Sequence, residues 1–355
     1  MIKEIPLIEP IKLKRISPSQ LSAILRCPQQ AVLGEALERK ILLPPSPYAS
    51  YGTVLHKISE LITKGVIRNE QGFERAFSSE VLRIETTLTQ SGWGMGVPLS
   101  RFVKDYTMKK IFLRSQLPVY NYHPARNGRS EVLSEHWLES KDKTVGGFID
   151  RIQEHGGQVE IIDFKTGKVA EQNLPGVLKT DYVNQLRLYA YLYFEQNGRF
   201  PDQLSLVDML GQKYDVKFSS QECIAIFAEA KNILDKINKG VEQGIYYANP
   251  REENCGYCLY RPACAAYLRY LGTTEMKGDL TGSVSQVSAS GGDGINLLMD
   301  TDQGQLRISG LSQSLYTPLL GRTGCQINIF NLKKKQTPNA FQAGPTTIIY
   351  ERTEH

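Results

Sequence analysis

The sequence predicts an α/β protein over residues 1–272, followed by a linker at 273–294 and a small all-β module at 295–355. Three observations carry that prediction. Gly156-Gly157 lies between two runs rich in Val, Ile and Phe, which is the pattern of a tight hairpin whose central residues both need positive φ. Residues 51–64, 182–196 and 221–242 repeat apolar side chains at helical spacing. From Ile295 onward short alternating runs, broken by Gly, Pro and Asn, read as three to five strands of a small OB-like or SH3-like barrel.

The elements follow in chain order. Ser17-Pro18-Ser19-Gln20 has a cap, a proline at the first helical position and a capping glutamine, and predicts a short helix leading into Cys27-Pro28. Residues 51–64 predict an amphipathic helix that carries His56, with Leu55, Ile58, Leu61 and Ile62 inward. In the hairpin, pairing His155 with Gln158 and counting back sets Asp150 opposite Asp163 on one face, with Cβ atoms about 5 Å apart. Two carboxylates so placed repel, and a divalent cation relieves the repulsion, since Mg²⁺ is held by one or two carboxylates together with waters and substrate phosphate. Lys165 returns to the same face two residues beyond Asp163, where an ammonium offsets charge building on a phosphate. Helix 182–196 then sets Gln185 and Tyr189 at i and i+4, an amide and a phenol able to position a strand without adding charge, although Leu186, Leu188 and Leu192 make much of it core.

Six cysteines are present, and four form a pattern: Cys255-x2-Cys258-x5-Cys264, with Cys27 far upstream. Four thiolates suit a cubane 4Fe-4S cluster, and three close plus one remote departs from the two-knuckle spacing of most structural zinc sites. Zinc and ordinary reduced thiols stay open as alternatives. Cys223 and Cys325 have no partner at useful spacing and read as buried hydrophobes.

Asp150, twelve residues, then Asp163-Phe164-Lys165, in the setting GGFIDR…IIDFKTGK, resembles the D…DxK arrangement of the PD-(D/E)xK nucleases and, within them, the RecB-like branch. Gln185 and Tyr189 match that branch's QxxxY motif, His56 its G-x-x-x-H histidine, and residues 17–28 its S-x-S-x-L…CP entry. The cysteine spacing is similar to that of its iron–sulfur members: AddB-type helicase-nuclease subunits, CRISPR adaptation nucleases and exonuclease V. The resemblance implies a restriction-endonuclease-like core with a mixed central sheet flanked by helices, its ends joined by an iron–sulfur staple at Cys27, Cys255, Cys258 and Cys264. It further implies hydrolysis of DNA, single-stranded or with free ends, in repair, recombination or defence. His56, Asp150 and Asp163 would hold Mg or Mn, Lys165 would assist the attacking water, and Gln185 and Tyr189 would position the strand. The family often adds a glutamate ahead of the first aspartate, and Glu131 and Glu135 both qualify. Alternatives from the same residues are a DNA-end-binding or assembly subunit of a helicase-nuclease complex that dispenses with catalysis, and a CRISPR adaptation nuclease trimming prespacers.

Composition narrows the partners. The formal net charge of +5 is modest, so affinity for DNA must come from a local groove. Residues 271–355 carry seven Lys+Arg and seven Asp+Glu, so the excess lies upstream of them. The start MIKEIPLIEP has no apolar h-region and no run reaches the roughly eighteen apolar residues of a membrane span, which predicts a cytoplasmic, reducing setting. No GxxxxGK[ST] loop occurs, so ATP-driven unwinding would need a helicase partner. In the β module, Tyr316, Phe330, Phe341 and Lys333 to Lys335 could stack bases and meet phosphates, or be core and a solvated turn in a docking module.

Overall fold

The computed structural model describes residues 2–93, 97–117, 131–171, 174, 176–208, 211–273, 278–290, 294–312, 317–344 and 346–352. The chain divides into two compact units. One comprises Leu13–Leu25 and Ser46–Lys239, and the other Met1–Lys12, Arg26–Pro45 and Gly240–His355.

The first unit is built from α1 (Leu21–Arg26), α3 (Pro47–Thr63), α4 (Glu70–Gln90), α5 (Leu99–Phe102), α6 (Tyr106–Ser115), α7 (Thr180–Asn197) and α8 (Ser220–Glu242) around strands β1 (Glu131–Glu139), β2 (Gly146–His155), β3 (Gln158–Lys165), β4 (Gln203–Asp208) and β5 (Lys213–Asp215). Local chemistry sets the helix ends. Ser46 Oγ accepts from Tyr48 N with Pro47 in the first turn of α3, Asn69 Oδ1 accepts from Gly72 N at the start of α4, and Gly198 ends α7 at φ +75°. At α1 the expectation is corrected: Pro18 lies in a turn closed by Gln20 N to Ser17 O, and the helix begins at Leu21.

The five strands lie in the order β1-β2-β3-β4-β5. All pairings are antiparallel except β3 with β4, which are parallel and joined through α7. This is the mixed α/β arrangement expected from the sequence. The predicted hairpin register holds, with His155 opposite Gln158, and Gly156 and Gly157 take φ of +59° and +82°. β3 is buried along nearly its whole length because β2 and β4 flank it and α7 covers a face.

The second unit contains α2 (Pro28–Ala36), α9 (Glu252–Cys255), α10 (Ala265–Thr273) and strands β6 (Leu280–Ser290), β7 (Gly294–Thr301), β8 (Gly304–Ser312), β9 (Gln326–Phe330), β10 (Lys333–Lys334), β11 (Ala340–Gln342) and β12 (Ile348–Glu351). The strands form one sheet in the order β10-β11-β8-β7-β6-β9-β12. The expected linker is corrected here, because residues 280–290 are a strand paired on both edges, by β7 and β9. Gly282 is required by packing: a Cβ there would stand 2.2 Å from Asp300 O.

The expectation of a separate all-β module also needs correction. Phe330 and Tyr350 of the sheet share a core with Leu33, Leu37, Leu42, Leu43, Tyr267 and Leu271, and with Cys255 and Cys264. A buried polar joint reinforces it. Arg261 Nε lies 2.6 Å from Asp279 Oδ2, the Tyr267 hydroxyl donates to the same oxygen at 2.5 Å, and Asn331 N donates to Asp279 Oδ1 at 2.8 Å. Phe330 and Phe341 are fully buried core residues, not surface stackers, whereas Lys333 and Lys334 are exposed on a short strand and Lys335 donates to Ser309 Oγ. Tyr316 lies outside the described residues. Cys223 is fully buried as expected, and Cys325 is half-buried.

Candidate active site

The hairpin brings the carboxylates together. Its ladder is paired through Arg151 and Ile162, and the next step of the count sets Asp150 against Asp163. There the Asp150 carboxylate accepts from Phe164 N at 2.7 Å, tying the middle of β2 to the end of β3. Asp163 is buried and its Oδ1 accepts from Gln185 Nε2 at 2.8 Å. Lys165 Nζ lies 2.7 Å from Asp163 Oδ2 and donates to Gln185 Oε1, also at 2.7 Å. The Gln185 amide therefore bridges acid and base, which fixes its orientation: its NH₂ faces the carboxylate and its carbonyl the ammonium.

Burial, then the neighbouring Asp163 charge, pushes the Asp150 carboxyl well above the usual carboxylate range, against the pull of the Phe164 N–H. Burial also lowers His56 from the ordinary imidazole value, favouring the neutral ring. Helix α3 comes close to the end of β3 because Gly52 has no side chain; a Cβ there would stand 3.1 Å from Thr166 Oγ1. One turn later His56 Nδ1 lies 3.8 Å from Asp150 Oδ1.

Glu135 is the glutamate beside this group. Ser134 pairs with Arg151 and His136 with Ile149, so the count between them sets Glu135 against Asp150. It takes φ +50°, uncommon for a residue with a side chain. Burial raises its carboxyl, helped by Glu60 and opposed by Lys64 and Lys57. Of the Glu131 side chain nothing is described.

Tyr189 makes a structural contact as well. Its ring is buried and its hydroxyl donates to Phe148 O at 2.6 Å, so it holds β2 in place. A Cβ on Gly147 would lie 3.0 Å from that hydroxyl. One residue escaped the sequence reading. Tyr182 lies under Lys165 Nζ at 4.3 Å from its ring centre, with Lys179 at 5.3 Å on the same ring. Its signal was available, since it precedes Gln185 by three on the same helix.

Among the described residues no group of three or more His, Cys, Asp or Glu side chains is assembled to hold a metal ion. The donor set nonetheless fits a divalent cation: two apposed carboxylates, a neutral imidazole, and Asp163 Oδ2, a buried oxygen that accepts no well-formed hydrogen bond.

The four patterned cysteines all belong to the second unit. Cys27 caps α2, Cys255 ends α9 and accepts through its carbonyl from Cys258 N at 3.0 Å, and Cys264 precedes α10. Burial pushes the Cys255 thiol up to about 11 and the Cys258 thiol up to about 12, and raises Cys264. Cys27 adds to all three shifts, which makes the four sulfurs electrostatic neighbours across more than two hundred residues of sequence.

No curated protein matches the chain. Among solved structures it is similar to a tetrameric HIN2 crystal structure, at 12% identity over 24% of this chain and 48% of that one, with a TM-score of 0.19. It is also similar to a murine DNA-binding protein bound with double-stranded DNA, at 10% identity over 63% of this chain and 97% of that one, again with a TM-score of 0.19. No helix among the described residues is long and apolar enough to cross a membrane. Residues 15–265, which contain every element of the site, match the family model of the PD-(D/E)XK nuclease superfamily, and the chain belongs to that superfamily.

Proposed function

We propose that the chain is a Mg- or Mn-dependent deoxyribonuclease of the RecB-like branch, acting exonucleolytically on DNA that is single-stranded or has free ends, in a cytoplasmic setting. The observation that carries the reading is the Gln185 amide bridging Asp163 and Lys165, with the Asp150 carboxylate held beside them by Phe164 N. His56, Asp150 and Asp163 would hold the cation, with Glu135 the fourth acidic or imidazole group in reach. A bound divalent ion supplies Lewis-acid activation of the phosphate and charge neutralisation there. The protein's own groups do the rest. Lys165 orients the attacking water and offsets charge on the phosphate oxygens, while Gln185 keeps the ammonium aimed and Tyr182 limits its swing. Tyr189 acts at one remove by fixing β2.

Cys27, Cys255, Cys258 and Cys264 would hold a 4Fe-4S cluster. Three buried thiols whose pKa values are raised further by Cys27 are a donor set that, with Cys27 as the fourth, a cationic cluster core stabilises as thiolates. Its part is structural, because hydrolysis moves no electrons, and zinc is the lesser alternative.

The test is cleavage of end-labelled single- and double-stranded oligonucleotides by the purified full chain with Mg²⁺ or Mn²⁺. Wild type should degrade strands from an end and Asp163→Asn should not. Equal activity of the two would remove Asp163 from the chemistry. An inactive wild type that still binds DNA ends would support the assembly-subunit reading instead.

A further inference from the structure

Next to the carboxylates stands an aromatic pair that the chemistry above does not use. Trp137 of β1 is paired with Phe148 of β2, their ring centroids 4.8 Å apart and their planes at 63°. The Arg15 guanidinium lies 5.2 Å over the Trp137 ring, and Glu139 Oε1 holds it at 2.5 Å. Gly146 makes room for the indole, since a Cβ there would stand 3.0 Å from Trp137 Cζ2. Phe148 is 59% exposed, although phenylalanine is among the residues most often buried. Its carbonyl is the one that Tyr189 pins, so an exposed ring is carried on a rigid backbone. Asp150 follows two residues later on the same strand, about 7 Å along it.

We propose that Phe148, buttressed by Trp137 and Arg15, is a stacking platform for an unpaired base of the substrate strand beside the phosphate presented to Asp150 and Asp163. This rests on the nuclease reading and adds the form of substrate it selects. A base inside a duplex has both faces covered by its neighbours and a blunt terminal base stays paired, so a ring that takes an unpaired base needs a single strand or an overhang. Stacking on an aromatic ring tolerates any sequence, because every base has a π-face. The distance to Asp150 suits a neighbouring nucleotide.

The experiment separates this from the nuclease reading by measuring binding without metal. The chain has two tryptophans, of which Trp93 is buried at 7% exposure, so a change in emission on adding nucleic acid reports mainly on Trp137. A single-stranded dT oligonucleotide, titrated in EDTA and followed by anisotropy, should quench the emission as it saturates. In Trp137→Phe the quenching should vanish while binding remains. Phe148→Ala should weaken single-strand binding by roughly tenfold, leave a blunt duplex unaffected, and be rescued by Phe148→Tyr. Saturation with unmoved emission, or equal loss on single strand and duplex, would overturn the platform and leave the nuclease reading standing. Wild type that binds in this way but cuts nothing when Mn²⁺ is restored would retain the platform and overturn the nuclease.

Discussion

Replacing Asp279 with alanine tests the correction that most changes the picture of this chain. Asp279 and Arg261 are each about 4% exposed, and the carboxylate takes Arg261 Nε at 2.6 Å, the Tyr267 hydroxyl at 2.5 Å and Asn331 N at 2.8 Å. Removing it leaves the guanidinium buried with two neutral acceptors, Cys258 O at 3.0 Å and Asn331 Oδ1 at 2.5 Å. Breaking a buried pair from one side costs about 3–5 kcal/mol, a large share of the roughly 5–15 kcal/mol that holds a domain folded. At about 2–4 °C per kcal/mol for a unit of this size, the midpoint of the transition reporting on the second unit should fall by roughly 6–20 °C. The assay is thermal unfolding followed by circular dichroism, with Asp279→Leu, Arg261→Leu and the Asp279→Leu/Arg261→Leu pair forming a closed cycle. The pair should recover much of the loss, since an apolar couple restores packing without an orphaned charge. A loss below about 1 kcal/mol for Asp279→Ala, or strict additivity in the cycle, would refute the view that cysteine segment and sheet form one buried body.

Three further outcomes are expected. Lys165→Met should abolish metal-dependent cleavage while oligonucleotide binding in EDTA persists, as anisotropy would record; retained activity would assign the proton and charge handling elsewhere. Cys27→Ser and Cys258→Ser should lower the metal content of anaerobically purified protein equally, from about four irons per chain in the wild type, by metal analysis and the broad absorbance near 400 nm; stoichiometric zinc without iron would overturn the cluster. Tyr189→Phe removes a 2.6 Å hydrogen bond to a backbone carbonyl and should cost about 1–3 kcal/mol in denaturant unfolding, with turnover lowered rather than lost.

The local elements of this chain are legible because each is set by a few neighbouring residues. Two glycines at positive φ specify a hairpin register, and that register, counted one step past Arg151 and Ile162, sets Asp150 against Asp163. Helical spacing places Gln185 and Tyr189 on one helix, and the structure sets them 2.8 Å from Asp163 and 2.6 Å from Phe148 O. What the sequence could not decide was how segments distant along the chain pack, since that depends on contacts with no local signature. The Gly/Ser-rich run at 280–290 has the composition of a linker, and only the strands on both of its edges and the Asp300 carbonyl beneath Gly282 make it the middle of a sheet. Tyr189 reads as a strand-positioning phenol by motif, yet its hydroxyl is used inside the fold. Glu135 and Glu131 look alike in sequence, and the β1–β2 ladder is what brings Glu135 against Asp150. Periodicity and turn chemistry are short-range properties that a sequence carries openly, whereas burial, pairing on a second edge and the satisfaction of each polar group are properties of the packed whole.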